Sequence, residues 1–197
     1  MKKIILIFTA VVGTLATAWG QTTQGSLTLG GGIRYSSDEE DYYSQKTTEF
    51  SFQPSVGYFV ADNLAVGLML SMSSEKYNYG SGDNKTNDLV VGPFARYYKF
   101  TSNEKFAFTG EVGFLFGSTK FKPPVGNETK GGSTYVYVAP GFTYFLSEKW
   151  GLDFQLRGIT FSSSDPNKDV DDDKSSSFTF GFESFNPSLG FRFYVSK

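Results

Sequence analysis

At 197 residues the chain is long enough for one domain, and its 18 Lys and Arg nearly balance its 20 Asp and Glu, so no basic field suits nucleic acid. The absence of cysteine excludes disulfide staples and a lipid-modified cysteine. The absence of histidine removes the commonest general base and metal ligand. What remains is rich in Phe (21), Tyr (12) and Gly (22), a composition suited to pleated structure.

The first segment, "MKKIILIFTAVVGTLATAWGQ", sets Lys2 and Lys3 before an apolar run from Ile4 to Val12 and then small residues. That is the layout of a secretory signal peptide, and the run is short against the roughly 20 residues that span a bilayer as a helix. We expect residues 1–20 to be removed, with cleavage after Ala18 or Gly20, and residues 21–197 to form the exported domain. Without Lys2 and Lys3 that part is mildly acidic, 16 basic against 20 acidic residues.

Past the signal the chain repeats. "FQPSVGYFV" around Pro54, "VGPFARYYKF" around Pro93, "VAPGFTYFL" around Pro140 and "FNPSLGFRFYV" around Pro187 each place an aromatic four residues after the proline: Tyr58, Tyr97, Tyr144 and Phe191. The prolines lie 39, 47 and 47 residues apart, room for two strands per unit, so four units predict eight strands. The partner strands are "GSLTLGGGIRYSS", "LAVGLMLSMS", "KFAFTGEVGFLFGS" and "WGLDFQLRGITFS", all alternating. One face carries Leu27, Leu29, Leu64, Val66, Leu68, Phe106, Phe114, Phe116, Leu152 and Phe154. The other carries Gly30, Gly32, Arg34, Gly67, Thr109, Glu111, Gly113, Asp153, Gln155 and Arg157, joined from the proline strands by Gln53, Ser55, Gly57, Arg96, Thr143, Ser188, Gly190 and Arg192.

Loop lengths agree with these faces. A three-residue loop at 61–63 pairs Phe59 with Ala65, and one at 147–149 pairs Thr143 with Asp153. A four-residue loop at 101–104 pairs Phe94 with Glu111 and leaves Arg96 diagonal to it. Like faces meet in each case, as a sheet requires. Polar stretches at 36–46, 74–87, 119–132 and 162–176 connect the other ends.

A water-soluble, lipocalin-like carrier would turn the aromatic face inward; a transmembrane barrel would turn it to lipid. A charged residue facing lipid at midplane costs about 2–4 kcal/mol, so exposing the charges among Arg34, Arg96, Glu111, Asp153, Arg157 and Arg192 would cost on the order of 10 kcal/mol together. Inside, the carboxylates can pair with the arginines. We therefore expect an all-β, eight-stranded antiparallel up-and-down transmembrane β-barrel with short periplasmic turns, longer extracellular loops and a lumenal, structural network of those six side chains. Proline forfeits a ladder hydrogen bond, so its repetition predicts a bulge or relaxed pairing at one level.

With "GPFARYY" and the final strand "SLGFRFYV" in view, the exported chain resembles the small eight-stranded outer-membrane barrels of the OmpA-like and OmpX-like family. The resemblance implies residence in the cell outer membrane among its lipids, and insertion by the outer-membrane barrel assembly machinery. Ser188, Gly190, Phe193 and Val195 are similar to the signal that this machinery reads. It also implies a structural or surface-interaction role, with an unidentified extracellular ligand taken by the loops, and no peptidoglycan-binding module after residue 197. The alternative is a narrow channel, or an OmpW-like barrel passing small hydrophobic solutes through a side opening. Lipid A deacylases, palmitoyltransferases and surface proteases of outer membranes rely on histidine, so no enzyme is expected, and no catalytic, cofactor or metal residues. Asp169, Asp171 and Asp173 alternate as in a calcium loop, but without the glycine and distant glutamate of an EF-hand they read as a solvated acidic loop.

Overall fold

A computed structural model describes residues 21–40, 45–79, 82–156, 158–167, 174–180 and 188–196. The expected signal peptide, Pro187, Arg157 and the Asp169–Asp173 stretch lie outside them. The strands are β1 (Leu27–Glu40), β2 (Gln45–Ala61), β3 (Leu64–Tyr79), β4 (Asp83–Phe100), β5 (Phe106–Lys122), β6 (Thr129–Phe145), β7 (Trp150–Gln155), β8 (Ile159–Asp165), β9 (Ser175–Phe180) and β10 (Ser188–Val195). β7 and β8 both pair with β6 and together make the seventh staple of the wall. β9 pairs with β8 and β10 with β7, so these two share the eighth position. β10 then pairs with β1 from Leu27↔Val195 to Gly31↔Phe191, which closes an eight-stranded antiparallel up-and-down barrel.

The molecule is oily outside. Ile33, Leu68, Phe116 and Phe191 are all more than half exposed, whereas Thr28, Ser26 and Thr143 are fully buried. A carrier needs the reverse, so the soluble reading does not fit. The aromatics four residues past each proline all point outward near the short turns, Tyr58, Tyr97, Tyr144 and Phe191 alike, where the amphipathic rings of an interfacial belt belong.

The prolines interrupt the wall on one side each. Gly31↔Pro54 and Leu68↔Pro93 persist on the preceding strand. On the following strand the β2–β3 register passes from Phe52↔Met72 to Ser55↔Met69, and β4–β5 from Val91↔Phe116 to Phe94↔Gly113. Pro140 keeps Gly110 on β5 but faces the break between β7 and β8. There the register shifts from Gly141↔Gln155 to Val138↔Ile159, and Leu156 N–H donates to the Pro140 carbonyl at 2.9 Å. At these three prolines the missing N–H is thus spent on the later neighbour.

Two loops differ from their expected length. Ala61 pairs directly with Leu64 across Asp62 and Asn63, with a bulge after Phe59; Asn63 takes a positive φ of 65°, which asparagine tolerates. Phe59↔Ala65 and Thr143↔Asp153 stand as expected. Beyond Phe100 the loop is longer, closed by Thr101 N–H to Phe106 O at 3.0 Å, and Phe100 pairs with Ala107. The register therefore moves by two, keeping the faces but setting Arg96 opposite Glu111 and Phe94 opposite Gly113.

The strands also run far into the polar connections. β2 has 17 residues, about 56 Å of chain at roughly 3.3 Å each, or about 43 Å of height at a tilt near 40°. An apolar band of about 25 Å needs far less. The extension is held by side-chain pairs between strands: Ser73 to Asp88 (3.2 Å), Ser74 to Asn87 (3.1 Å) and Tyr77 to Gln45 (2.9 Å). Both faces are polar there, so nothing in the hydropathy separates strand from loop.

Leu68→Arg, on the outward face opposite Pro93, should lower unfolding stability in phospholipid vesicles by about 2–4 kcal/mol in urea titrations. An unchanged midpoint would place Leu68 away from lipid.

Candidate functional site

The inward face at mid-height is where the chain concentrates its buried charge. Arg96 on β4 is set opposite Glu111 on β5; Asp153 on β7 lies opposite Thr143 on β6 and Gly190 on β10. Arg192, two residues beyond Gly190, points inward beside Gly30 of β1. Four strands, β4, β5, β7 and β10, thus aim two guanidinium groups and two carboxylates at one level. All four are nearly inaccessible, Glu111 at 2 % and Asp153 at 8 %.

Arg96 donates from Nε to Glu111 Oε2 at 2.6 Å and from Nη1 to Asp153 Oδ2 at 2.5 Å. Arg192 donates from Nε to the same Asp153 Oδ2 at 2.6 Å, and from Nη1 to Thr28 Oγ1 at 3.5 Å. The other oxygen of each carboxylate also accepts: Tyr137 O–H and Gln155 Nε2 reach Glu111 Oε1 at 2.7 and 2.9 Å, and Thr143 O–H reaches Asp153 Oδ1 at 2.5 Å. The formal charges cancel and each carboxylate accepts three hydrogen bonds, the condition under which buried ions are tolerable.

Glycine makes the space. A methyl group on Gly30 would lie 2.7 Å from Cζ of Arg192, and one on Gly113 would strike the Tyr137 ring. Below the charged layer, toward the short turns, Phe59, Tyr98, Phe145 and Tyr194 fill the barrel, with Tyr98 and Tyr194 edge to face at 6.4 Å and Phe145 5.2 Å from Tyr194. The small partners Ala65 and Ala107 leave room for them. The segment before β1 closes this end, through Asn63 N–H to Thr22 O at 2.7 Å and Gly25 N–H to Phe59 O at 2.9 Å. Above the charged layer is a cavity of about 80 Å³ bordered by Gln53, Ser55, Met69 and the two arginines.

Of the six charges expected in the lumen, Arg96, Glu111, Asp153 and Arg192 come together. Arg34 does not join them. It stands four residues above Gly30, more exposed, with Glu49 of β2 as its partner at 3.7 Å. Arg157 lies outside the described residues. Glu49, Tyr137 and Thr28 were missed by the sequence reading, although the parity that carries Gln53, Glu111 and Gly30 also carries them. Asp153 borders the cavity beside the two arginines, and both carboxylates are held by guanidinium, hydroxyl or amide donors, an arrangement that fixes charge and shape.

A family model described as "Outer membrane protein beta-barrel domain" matches residues 4–184. No curated protein matches the sequence. Among solved structures, the chain is similar to the N-terminal β-barrel domain of OprF from Pseudomonas aeruginosa, at 14% identity and TM-score 0.47, over 87% of this chain and 98% of that one. It is similar to the outer membrane protein OprG of Pseudomonas aeruginosa at 16% identity and TM-score 0.44, over 91% and 100%. For Ail of Yersinia pestis the values are 16%, 0.32, 87% and 100%.

Asp153→Asn should cost about 3–5 kcal/mol in urea unfolding from vesicles, because it leaves two buried guanidinium groups sharing the charge of Glu111 alone. Gly30→Leu should cost about 1–3 kcal/mol by displacing Arg192. A loss below about 1 kcal/mol for Asp153→Asn would mean that the layer is wet and loosely held.

Proposed function

The chain belongs to the outer membrane protein β-barrel domain family, and from that membership we propose that it is an integral wall protein of the outer membrane with a structural or surface-interaction role and no catalytic activity. One observation carries this reading: the lumen is crossed by the Arg96–Glu111–Asp153–Arg192 layer and, beneath it, by the Phe59–Tyr98–Phe145–Tyr194 layer. A solute would have to part three ion pairs and then an aromatic stack. The six side chains named from the sequence act, on this reading, as lumenal structure, with Arg34 serving the upper wall.

Function then resides at the extracellular end, where strands stand above the bilayer and carry the connecting loops to a ligand or partner. Residues 1–20 serve as the removed export signal. β10, ending in "FRFYV", supplies the insertion signal for the assembly machinery.

In planar lipid bilayers the purified barrel should show no steady conductance at neutral pH. Stable single-channel steps from the wild-type chain would overturn the closed lumen and favour a narrow channel or an OmpW-like transporter.

A further inference from the structure

The outer wall above the apolar band carries cations opposite cations. On β3 to β6 the outward apolar residues end at Met72, Leu89, Phe116 and Val136. On each strand a polar, uncharged outward position follows, Ser74, Asn87, Ser118 and Thr134. Beyond it the outward positions are lysines. Lys85 on β4 lies directly opposite Lys76 on one side and Lys122 on the other, and Lys120 on β5 lies directly opposite Lys130 on β6. All five side chains are exposed.

Like charges set directly opposite destabilise a sheet. The same barrel shows the ordinary solution on β1 and β2, where outward Glu39 lies opposite Lys46 and pairs with it at 3.4 Å. On the lysine wall only Lys76 has such relief, from Asp83. Among the described residues Lys85, Lys120, Lys122 and Lys130 enter no ion pair. A wall that breaks a local rule at four adjacent positions is built for an anion that the protein does not supply.

Height identifies the anion. Lys120 lies four residues beyond Phe116 on the same face, about 13 Å along the strand and about 10 Å above the apolar band at a tilt near 40°. A ligand there shares the wall with lipid, its acyl chains against Leu89, Phe116 and Val136 and its headgroup level with the amines. We propose that Lys85, Lys120, Lys122 and Lys130 form a binding site for the phosphates of a phosphorylated, acylated saccharide lipid of the outer leaflet. Four strands spread the amines across a patch, which suits several phosphates on one rigid headgroup better than a single small ion. The proposal rests on the outer-membrane reading above.

The test titrates detergent-purified barrel with diphosphoryl lipid A, or with the same lipid stripped of its phosphates, and counts bound lipid by native mass spectrometry. The wild-type chain should prefer the phosphorylated lipid by about tenfold or more. The variant with Lys85, Lys120, Lys122 and Lys130 all changed to Gln should lose that preference. A control with Lys46, Lys99, Lys105 and Lys149 changed to Gln should keep it. The inference is overturned by a wild-type chain that does not discriminate, by a lysine-wall variant that still does, or by equal loss in the control. Displacement of the lipid by equimolar inorganic phosphate also overturns it, by assigning the wall to free anions. Heat-shifted gel mobility is read first on each protein. A wild-type chain without the shift fails as a membrane barrel altogether, whereas one that shifts but ignores the phosphates fails only as a lipid-phosphate site.

Discussion

Hydrocarbon offers no hydrogen-bond partner, so a strand that enters it must find one for every backbone N–H and C=O, and a sheet can meet that demand only by closing on itself. The pairing of β1 with β10 is the closure on which the other features rest. Once eight strands close, one face of each looks at lipid and the other at a narrow interior, and the alternation of the sequence becomes a partition between two solvents. Proline is the exception that shows how tight the accounting is. At Pro54, Pro93 and Pro140 the unmet bond falls on the following strand, and at Pro140 the wall answers with a register shift and a carbonyl that accepts from Leu156 instead.

An interior this narrow must be filled, and its filling follows from what the pleat places there. Glycines at 30 and 113 give up their own volume to Arg192 and Tyr137 on neighbouring strands. Two carboxylates and two guanidinium groups occupy the middle, neutral together and joined by three ion pairs. Aromatic rings pack the end toward the short turns. The polar core and the oily exterior are one arrangement, since charges excluded from lipid have no other place to go.

Much of this was legible from residue order alone. The proline repeat announced eight strands, parity separated Leu68 and Phe114 from Gly67 and Glu111, and the cost of charge in lipid oriented the two faces. Register was less legible. The loop after Phe100 is closed by Thr101 and Phe106 rather than by the four residues whose polarity suggests a turn, so Arg96 meets Glu111 squarely and not diagonally. Arg34 shares the parity of Arg96, but parity carries no height, and four residues of rise put it beside Glu49 instead. The strand extensions and the lysine wall were hidden because hydropathy is silent where both faces meet polar surroundings. Only the pairing of Lys85 with Lys76 and Lys122 brings distant lysines into one patch.

The claim beneath all of these is that consecutive residues of one strand face different solvents. The chain contains no cysteine, so single cysteines at Phe114 and Leu115 can each carry a unique spin label. In vesicles, the label at Phe114 should collide freely with oxygen dissolved in the acyl chains, and the one at Leu115 should be shielded from it. Equal accessibility at the two sites, or the reverse order, would contradict the barrel as described.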